Sequence, residues 1–164
     1  LAAVIVREFK PEDVADMARI WNHVVAEANA FPQEEPMTIE EAQAFFEGQT
    51  YSAVAVDQDS DSIVGLYIVH PNNVGRVGHI ANGSYAVDSN VRGKHIGALL
   101  VEDSLVQAKK HGYRILQFNA VVASNTHAIH LYERLGFKLI GTVEQGYRDG
   151  ENHYQDLLLF YHPL

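Results

Sequence analysis

The chain has 164 residues, 47% hydrophobic and 20% charged, which suits one packed domain over residues 1–164 and is too apolar for disorder. Twelve Lys and Arg against 21 Asp and Glu leave a formal net charge of −9, which argues against nucleic acid or an anionic membrane as the main partner. There is no cysteine, so disulfides, thiolate-bound zinc and thiol nucleophiles are excluded.

No apolar run approaches the roughly 18 residues of a membrane span. Leu1 to Arg7 has neither a basic lead nor a cleavage site, so a soluble, cytoplasmic protein is expected. Ala3 to Phe9 is β-branched and stops at Lys10-Pro11, which predicts a strand. Val14, Met17, Ala18, Trp21 and Val25 then recur on one helical face. Asn29 to Met37 holds two prolines and no period, so it is a loop. Thr38 and Glu41 spell a capping box for a second helix, with Ile39, Ala42, Phe45 and Phe46 inward and a stop near Gly48.

Tyr51–Val56 and Ile63–Val69 flank a polar turn and predict a hairpin. Gly78–Val87 reads as a further strand. Asn82-Gly83 lies too close to the next turn signal to be a hairpin turn, so a β-bulge is expected there. Ile96–His111 is helical and ends at Gly112. Arg114–Val122 is a dense apolar strand, as a central one should be, and Ala128, Leu131, Tyr132 and Leu135 make a short helix ending at Gly136. Phe137–Val143 and His153–Tyr161 close the chain as strands. The expected fold class is a mixed α/β (α+β mixed-sheet) domain, in the order β-α-α-β-β-β-α-β-α-β-β.

The junction Val87-Asp88-Ser89-Asn90-Val91-Arg92-Gly93-Lys94-His95-Ile96-Gly97-Ala98 runs from a strand through a glycine-containing loop into a helix. Unpaired amides and the positive dipole end of such a helix can hold a pyrophosphate; a solvated basic connection is the plainer reading. About 30 residues on, Asn125-Thr126-His127-Ala128-Ile129-His130-Leu131-Tyr132-Glu133-Arg134-Leu135-Gly136-Phe137 follows a buried strand. By itself Asn125 can be a helix N-cap and Tyr132 a core aromatic.

Taken together the two segments resemble the Gcn5-related N-acetyltransferase (GNAT) superfamily. There an Arg/Gln-x-x-Gly-x-Gly/Ala loop binds the acetyl-CoA pyrophosphate, and a later Asn-x-x-Ala-x-x-Leu-Tyr-x-x-Leu-Gly-Phe segment meets the pantetheine arm and the thioester sulfur. The resemblance implies acetyl-CoA as co-substrate, held by Arg92, Gly93, Lys94, His95, Ile96, Gly97 and Ala98, by strand backbone at Tyr85, Ala86 and Val87, and by Asn125 and Tyr132. It implies Tyr132 as proton donor to the departing thiolate. One position departs, since His95 stands at the family's first motif glycine; its amide still donates if φ is negative.

Pro71-Asn72-Asn73, His79 to Tyr85 and Gln117 to Val122 resemble, more narrowly, the azetidine-2-carboxylate N-acetyltransferase-like subgroup. This implies Asn82 and Asn119 at the acceptor, with Asn119 and Asn125 at the reaction centre. Phe31, in the loop that borders the acceptor in this superfamily, is placed with them, and Glu34 or Glu35 is a weaker candidate. Plain structural roles, Asn82 serving the bulge and Asn119 bonding backbone, remain open.

His127 and His130 have no third ligand, so no metal is expected. No carboxylate stands on the strand where many relatives carry their base, so a water held by Asn82, Asn119 or Asn125 is the expected base, with His79 second. The expected activity is direct acetyl transfer to a small amine, an amino or imino acid or a toxic analogue. A protein N-terminus or a polyamine is the alternative acceptor, and a non-catalytic acetyl-CoA sensor the alternative function. A homodimer is consistent with the superfamily.

Overall fold

The computed structural model describes residues 3–91 and 95–164. Its elements are β1 (Val4–Glu8), α1 (Val14–Glu27), α2 (Ile39–Glu47), β2 (Tyr51–Asp57), β3 (Ser62–Pro71), β4 (Ile80–Val87), α3 (Ile96–Lys110), β5 (Ile115–Val122), α4 (Thr126–Arg134), β6 (Lys138–Arg148) and β7 (Tyr154–Pro163). This is the expected order.

The seven strands form one mixed sheet in the order β1-β2-β3-β4-β5-β7-β6. Only β4 and β5 are parallel, because α3 carries the chain back between them. One hydrophobic cluster gathers Ile96, Leu100 and Val101 of α3 and Leu131 of α4 against Tyr67, Leu116, Phe118 and Phe160. A second gathers Trp21, Val25 and Phe46 of α1 and α2 with Val54, Leu66 and Ile68. Trp21 lies 4.4 Å from the Phe31 ring and 6.0 Å from that of Phe46, centroid to centroid. Burying each such ring contributes roughly 1.5–3 kcal/mol.

Local signals behave as chemistry dictates. Thr38 Oγ1 accepts from Glu41 N–H at 3.1 Å, and Glu41 accepts from Thr38 N–H at 3.0 Å, closing the expected box. Three local expectations fail, two of them at element edges. Ile39 is 58% exposed, because the α2 face that packs is the one bearing Ala42 and Phe46. The strand expected from Gly78 starts at Ile80, since Gly75–Val77 forms a 3₁₀ turn closed by Gly78 N–H on the Gly75 carbonyl.

The expected bulge at Asn82-Gly83 is absent. The β3–β4 register runs without a break from Gly65 opposite Val87 to Pro71 opposite Ala81. A break occurs one strand over instead. In β5, Phe118 pairs with Phe160 and Val121 with Leu158, so Asn119 and Ala120 together face Leu159. Meanwhile β4 and β5 pair only at Ile80–Ile115, Ala81–Leu116 and Asn82–Gln117. Beyond Asn82 the sheet opens between its two parallel strands. No helix among the described residues is long and apolar enough to cross a membrane.

Candidate active site

The opening between β4 and β5 holds a cavity of about 160 Å³. Asn82 to Tyr85 line it from β4, Phe118 to Val122 from β5, Asn125 and Tyr132 from α4 and its approach, and Ala30 to Pro32 from the loop after α1. Asn82, Asn119, Asn125, Tyr132, Tyr85 and Phe31, far apart in sequence, therefore share one cleft.

Main-chain groups line the gap as well. Asp88 N–H bonds the Val64 carbonyl and Asn72 N–H the Ile80 carbonyl. In an antiparallel ladder this phase turns the even-numbered residues of β4 toward β3. Gly83, Tyr85 and Val87 then point their amides and carbonyls at the opening, where β5 no longer pairs with them. Gly83 N–H is taken by the Asn82 Oδ1 at 2.7 Å, which leaves Tyr85 and Val87 as strand backbone without a partner strand among the described residues. An amide-bearing chain threaded into the gap would complete that ladder.

Each predicted side chain has a definite setting. Asn82 keeps its side-chain NH₂ for the cleft. Asn119 donates to the Asn72 Oδ1 at 2.6 Å and accepts from the Gln117 Nε2 at 3.0 Å, so its carboxamide plane is fixed from both ends. Asn125 caps α4, its Oδ1 accepting from Ala128 N–H at 3.3 Å, which leaves its NH₂ group. Phe31 is buried, and its carbonyl accepts from the Tyr147 hydroxyl at 2.8 Å.

Tyr85 donates its hydroxyl to the Ser104 Oγ at 2.6 Å, since Ser104 itself donates to the Val101 carbonyl. Burial pushes the Tyr85 phenol far up, so only its backbone is free for a ligand. Tyr132 differs. Its ring packs against Phe118 at 4.7 Å and Phe137 at 5.5 Å, and its hydroxyl has no partner among the described residues. Burial pushes it up to about 12. It is a permanent donor aimed at a cavity.

His95 opens α3 with φ +53°, the left-handed region, so the condition of a negative φ is not met. Ile96 is buried beneath it, and Gly97 and Ala98 are half-buried. Arg92, Gly93 and Lys94 lie outside the described residues. Val87 is half-buried and Ala86 buried against the α1–α2 side of the sheet.

Among the described residues no carboxylate or imidazole lines the cavity. His79 is exposed ahead of β4, outside the lining, so the second-ranked base does not meet the site. Glu34 pairs with Arg148. His127 and His130 join no group of three or more potential metal ligands among the described residues. The sequence does not mark Tyr147, nor Asn72 and Gln117 as holders of Asn119. The latter two lie in the quoted segments. Tyr147 carries no sequence signal, because its partner is 116 residues away.

A family model described as "Acetyltransferase (GNAT) family" matches residues 17–137. The N-acetyltransferase aca1 of Schizosaccharomyces pombe is 29% identical over 93% of this chain and 81% of its own length. An L-methionine sulfoximine/L-methionine sulfone acetyltransferase of Pseudomonas aeruginosa is 25% identical over 85% of this chain and 83% of its own. The structure of a GCN5-related N-acetyltransferase from Kribbella flavida superposes with a TM-score of 0.90, 31% identity, and coverage of 99% and 98% of the two chains. The same mixed α/β fold carries bound acetyl-CoA in a phosphinothricin acetyltransferase from Sinorhizobium meliloti, at 19% identity, a TM-score of 0.89 and coverage of 98% and 88%.

Proposed function

Because the chain belongs to the acetyltransferase (GNAT) family, we propose that residues 1–164 act as one domain that transfers the acetyl group of acetyl-CoA directly to the amine of a small amino or imino acid, or of a toxic analogue of one. One observation carries this reading. Three carboxamides (Asn82, Asn119 and Asn125) and one phenol (Tyr132) that is unpaired among the described residues converge in a cleft between two splayed parallel strands, and no charged side chain among the described residues lines it.

The free backbone of Tyr85 and Val87 suits the amides of a pantetheine arm, and an amide there can polarise the thioester carbonyl. The α3 N-terminus, with Ile96, Gly97 and Ala98, suits the pyrophosphate. Asn82 presents two N–H donors and Asn119 one more, which favours an acceptor with a carboxylate beside its amine. The cavity of about 160 Å³ fits a compact acceptor such as azetidine-2-carboxylate or proline. That the Pseudomonas aeruginosa relative is named for amino-acid analogues points the same way.

In the reaction a neutral amine forms the C–N bond as the C–S bond breaks, and the amine proton ends on sulfur. With no carboxylate or imidazole among the described lining residues, a water held by the carboxamides relays that proton. Tyr132, at about 12, is a weaker acid than a thiol at about 8.5. Its part is to hydrogen-bond the developing thiolate and pass on a proton that the amine replaces.

The test is thiol release from acetyl-CoA over a panel of azetidine-2-carboxylate, proline, primary amino acids, polyamines and a short peptide. Release confined to the amino and imino acids supports the reading. Release with polyamine or peptide alone moves the acceptor class, and cofactor binding without release by any amine makes the chain a sensor.

A further inference from the structure

The loop after α1 supplies one wall of the acceptor cleft but has no secondary structure of its own, so its path depends on what ties it down. Asn22 of α1 holds its far end, its side chain exchanging hydrogen bonds of 2.9 Å each with the Met37 N–H and carbonyl. The Phe31 ring packs on Trp21 of α1, and the loop's other hydrogen bonds and ion pair to distant elements, among the described residues, come from the end of β6 and the turn after it. Tyr147 donates to the Phe31 carbonyl at 2.8 Å, Arg148 pairs with Glu34, and Gly150 N–H bonds the Ala28 carbonyl at 2.9 Å.

Strand β6 is built to deliver the first of these. Val143 pairs with Leu157 and Tyr147 with Gln155, so Glu144, Gln145 and Gly146 together face Asp156 alone. Without the two extra residues, Gln145 would stand opposite Gln155. Gln145 takes φ +54° to make the bulge, and the Asp156 carboxylate receives its N–H at 3.0 Å. Tyr147 is the single buried residue of β6. Gly150 completes the approach: a Cβ there would come within 2.9 Å of the Ala28 Cβ.

We infer that Tyr147, held in place by the β6 bulge, is a positioning residue for the acceptor site: by fixing the Phe31 carbonyl it sets the Ala30-Phe31-Pro32 wall against which a small amino acid is selected. This rests on the acetyl-transfer reading for its kinetic consequence and on the hydrogen bond for its structural one.

The experiment compares Tyr147→Phe with Ser52→Ala. Ser52 also donates a buried hydroxyl to a backbone carbonyl, that of Phe46 at 2.8 Å, but away from the cleft. One such bond is worth a factor of about 3 to 10. Tyr147→Phe is expected to raise the acceptor KM by about 3- to 10-fold while kcat and the acetyl-CoA KM stay within about two-fold, and to speed hydrogen exchange of amides 28–37. Ser52→Ala lowers Tm with neither effect, and Gly150→Ala, which displaces the neighbouring tie, repeats the Tyr147→Phe pattern. An unchanged exchange rate in 28–37 overturns the anchoring whatever the kinetics show. An unchanged acceptor KM beside faster exchange overturns the selective role. If the wild type acetylates no amine, the acetyl-transfer reading falls and the selective role with it, while the exchange measurement still decides the anchoring.

Discussion

The Asn119 amide donates to the Asn72 Oδ1 at 2.6 Å, tying β5 to the end of β3 across 47 residues. Asn119 sits in the β5 bulge, where strand pairing does not fix it, so Asn72 and Gln117 hold its carboxamide instead. If Asn119 reads the acceptor, Asn72→Ala raises the acceptor KM by about 3- to 10-fold and Asn119→Ala by more. The acetyl-CoA KM stays put in both. In a double-mutant cycle the pair is no worse than Asn119→Ala alone, because Asn72 acts only through Asn119. Two-substrate kinetics on the four proteins decide it. A wild-type KM in Asn72→Ala beside an impaired Asn119→Ala rules out the positioning role.

His95 holds a left-handed backbone at the head of α3, which costs an L-residue roughly 1–2 kcal/mol. Glycine removes that strain but gives back about 0.5–1 kcal/mol in unfolded-chain entropy. His95→Gly is therefore expected to stabilise by about 0.5–1 kcal/mol and raise Tm by about 1–4 °C. A thermal melt checks it, and a lower Tm would show that the exposed imidazole makes a stabilising contact.

What was legible in the sequence was what local chemistry decides. The Thr38–Glu41 box, the Asn125 cap and the helix-ending glycines each act within a few residues, and the element order follows from them. Asn-Gly signals irregularity but not on which strand. A bulge belongs to a pair of strands, and β5 makes its bulge against β7, whose sequence lies some 40 residues further on. Ile39 reads as a core residue because an exposed apolar residue at the first helical position and a packed one look alike in a short helix. The convergence of Asn82, Asn119, Asn125 and Tyr132 was reached by resemblance, and periodicity alone would have left them as a bulge, a strand polar residue, a cap and a core aromatic. Tyr147 was beyond both routes, since a bulge of two residues and a bare carbonyl leave no pattern to read.

Asp13 shows how the N-terminal edge of the sheet meets α1. Burial would raise its carboxyl. The Arg7 guanidinium at 2.7 and 3.1 Å and the Lys10 N–H at 2.8 Å outweigh this and hold it below 3.8. A depressed folded-state value means that in acid the unfolded chain binds the extra proton, so this contribution is whole above the unfolded value and fades as pH falls through the folded one. Asp13→Asn is expected to lose about 1–3 kcal/mol at pH 7, with the gap to wild type narrowing below about pH 4. Denaturant melts at pH 7, 5 and 3 test this. A gap that stays constant with pH would mean that the charge contributes nothing beyond the hydrogen bonds.

Tyr132 gives the sharpest test of the chemistry. With its hydroxyl at about 12 it is protonated at every ordinary pH, so its ionisation produces no alkaline limb below pH 11. Among the described residues no other lining residue except Tyr85, raised further still, carries an ionisable side chain. The acid limb of kcat/KM must then belong to the acceptor, which attacks only as the neutral amine. Changing to an acceptor whose amine pKa is about one unit lower moves that limb down by about one unit. Tyr132→Phe lowers kcat by at least about 10-fold, leaves acetyl-CoA affinity unchanged, and leaves the limb where it was. A limb fixed near 6.5 for every acceptor would instead assign the base to a histidine, and a limb that shifts with Tyr132→Phe would make the phenol part of the titrating relay.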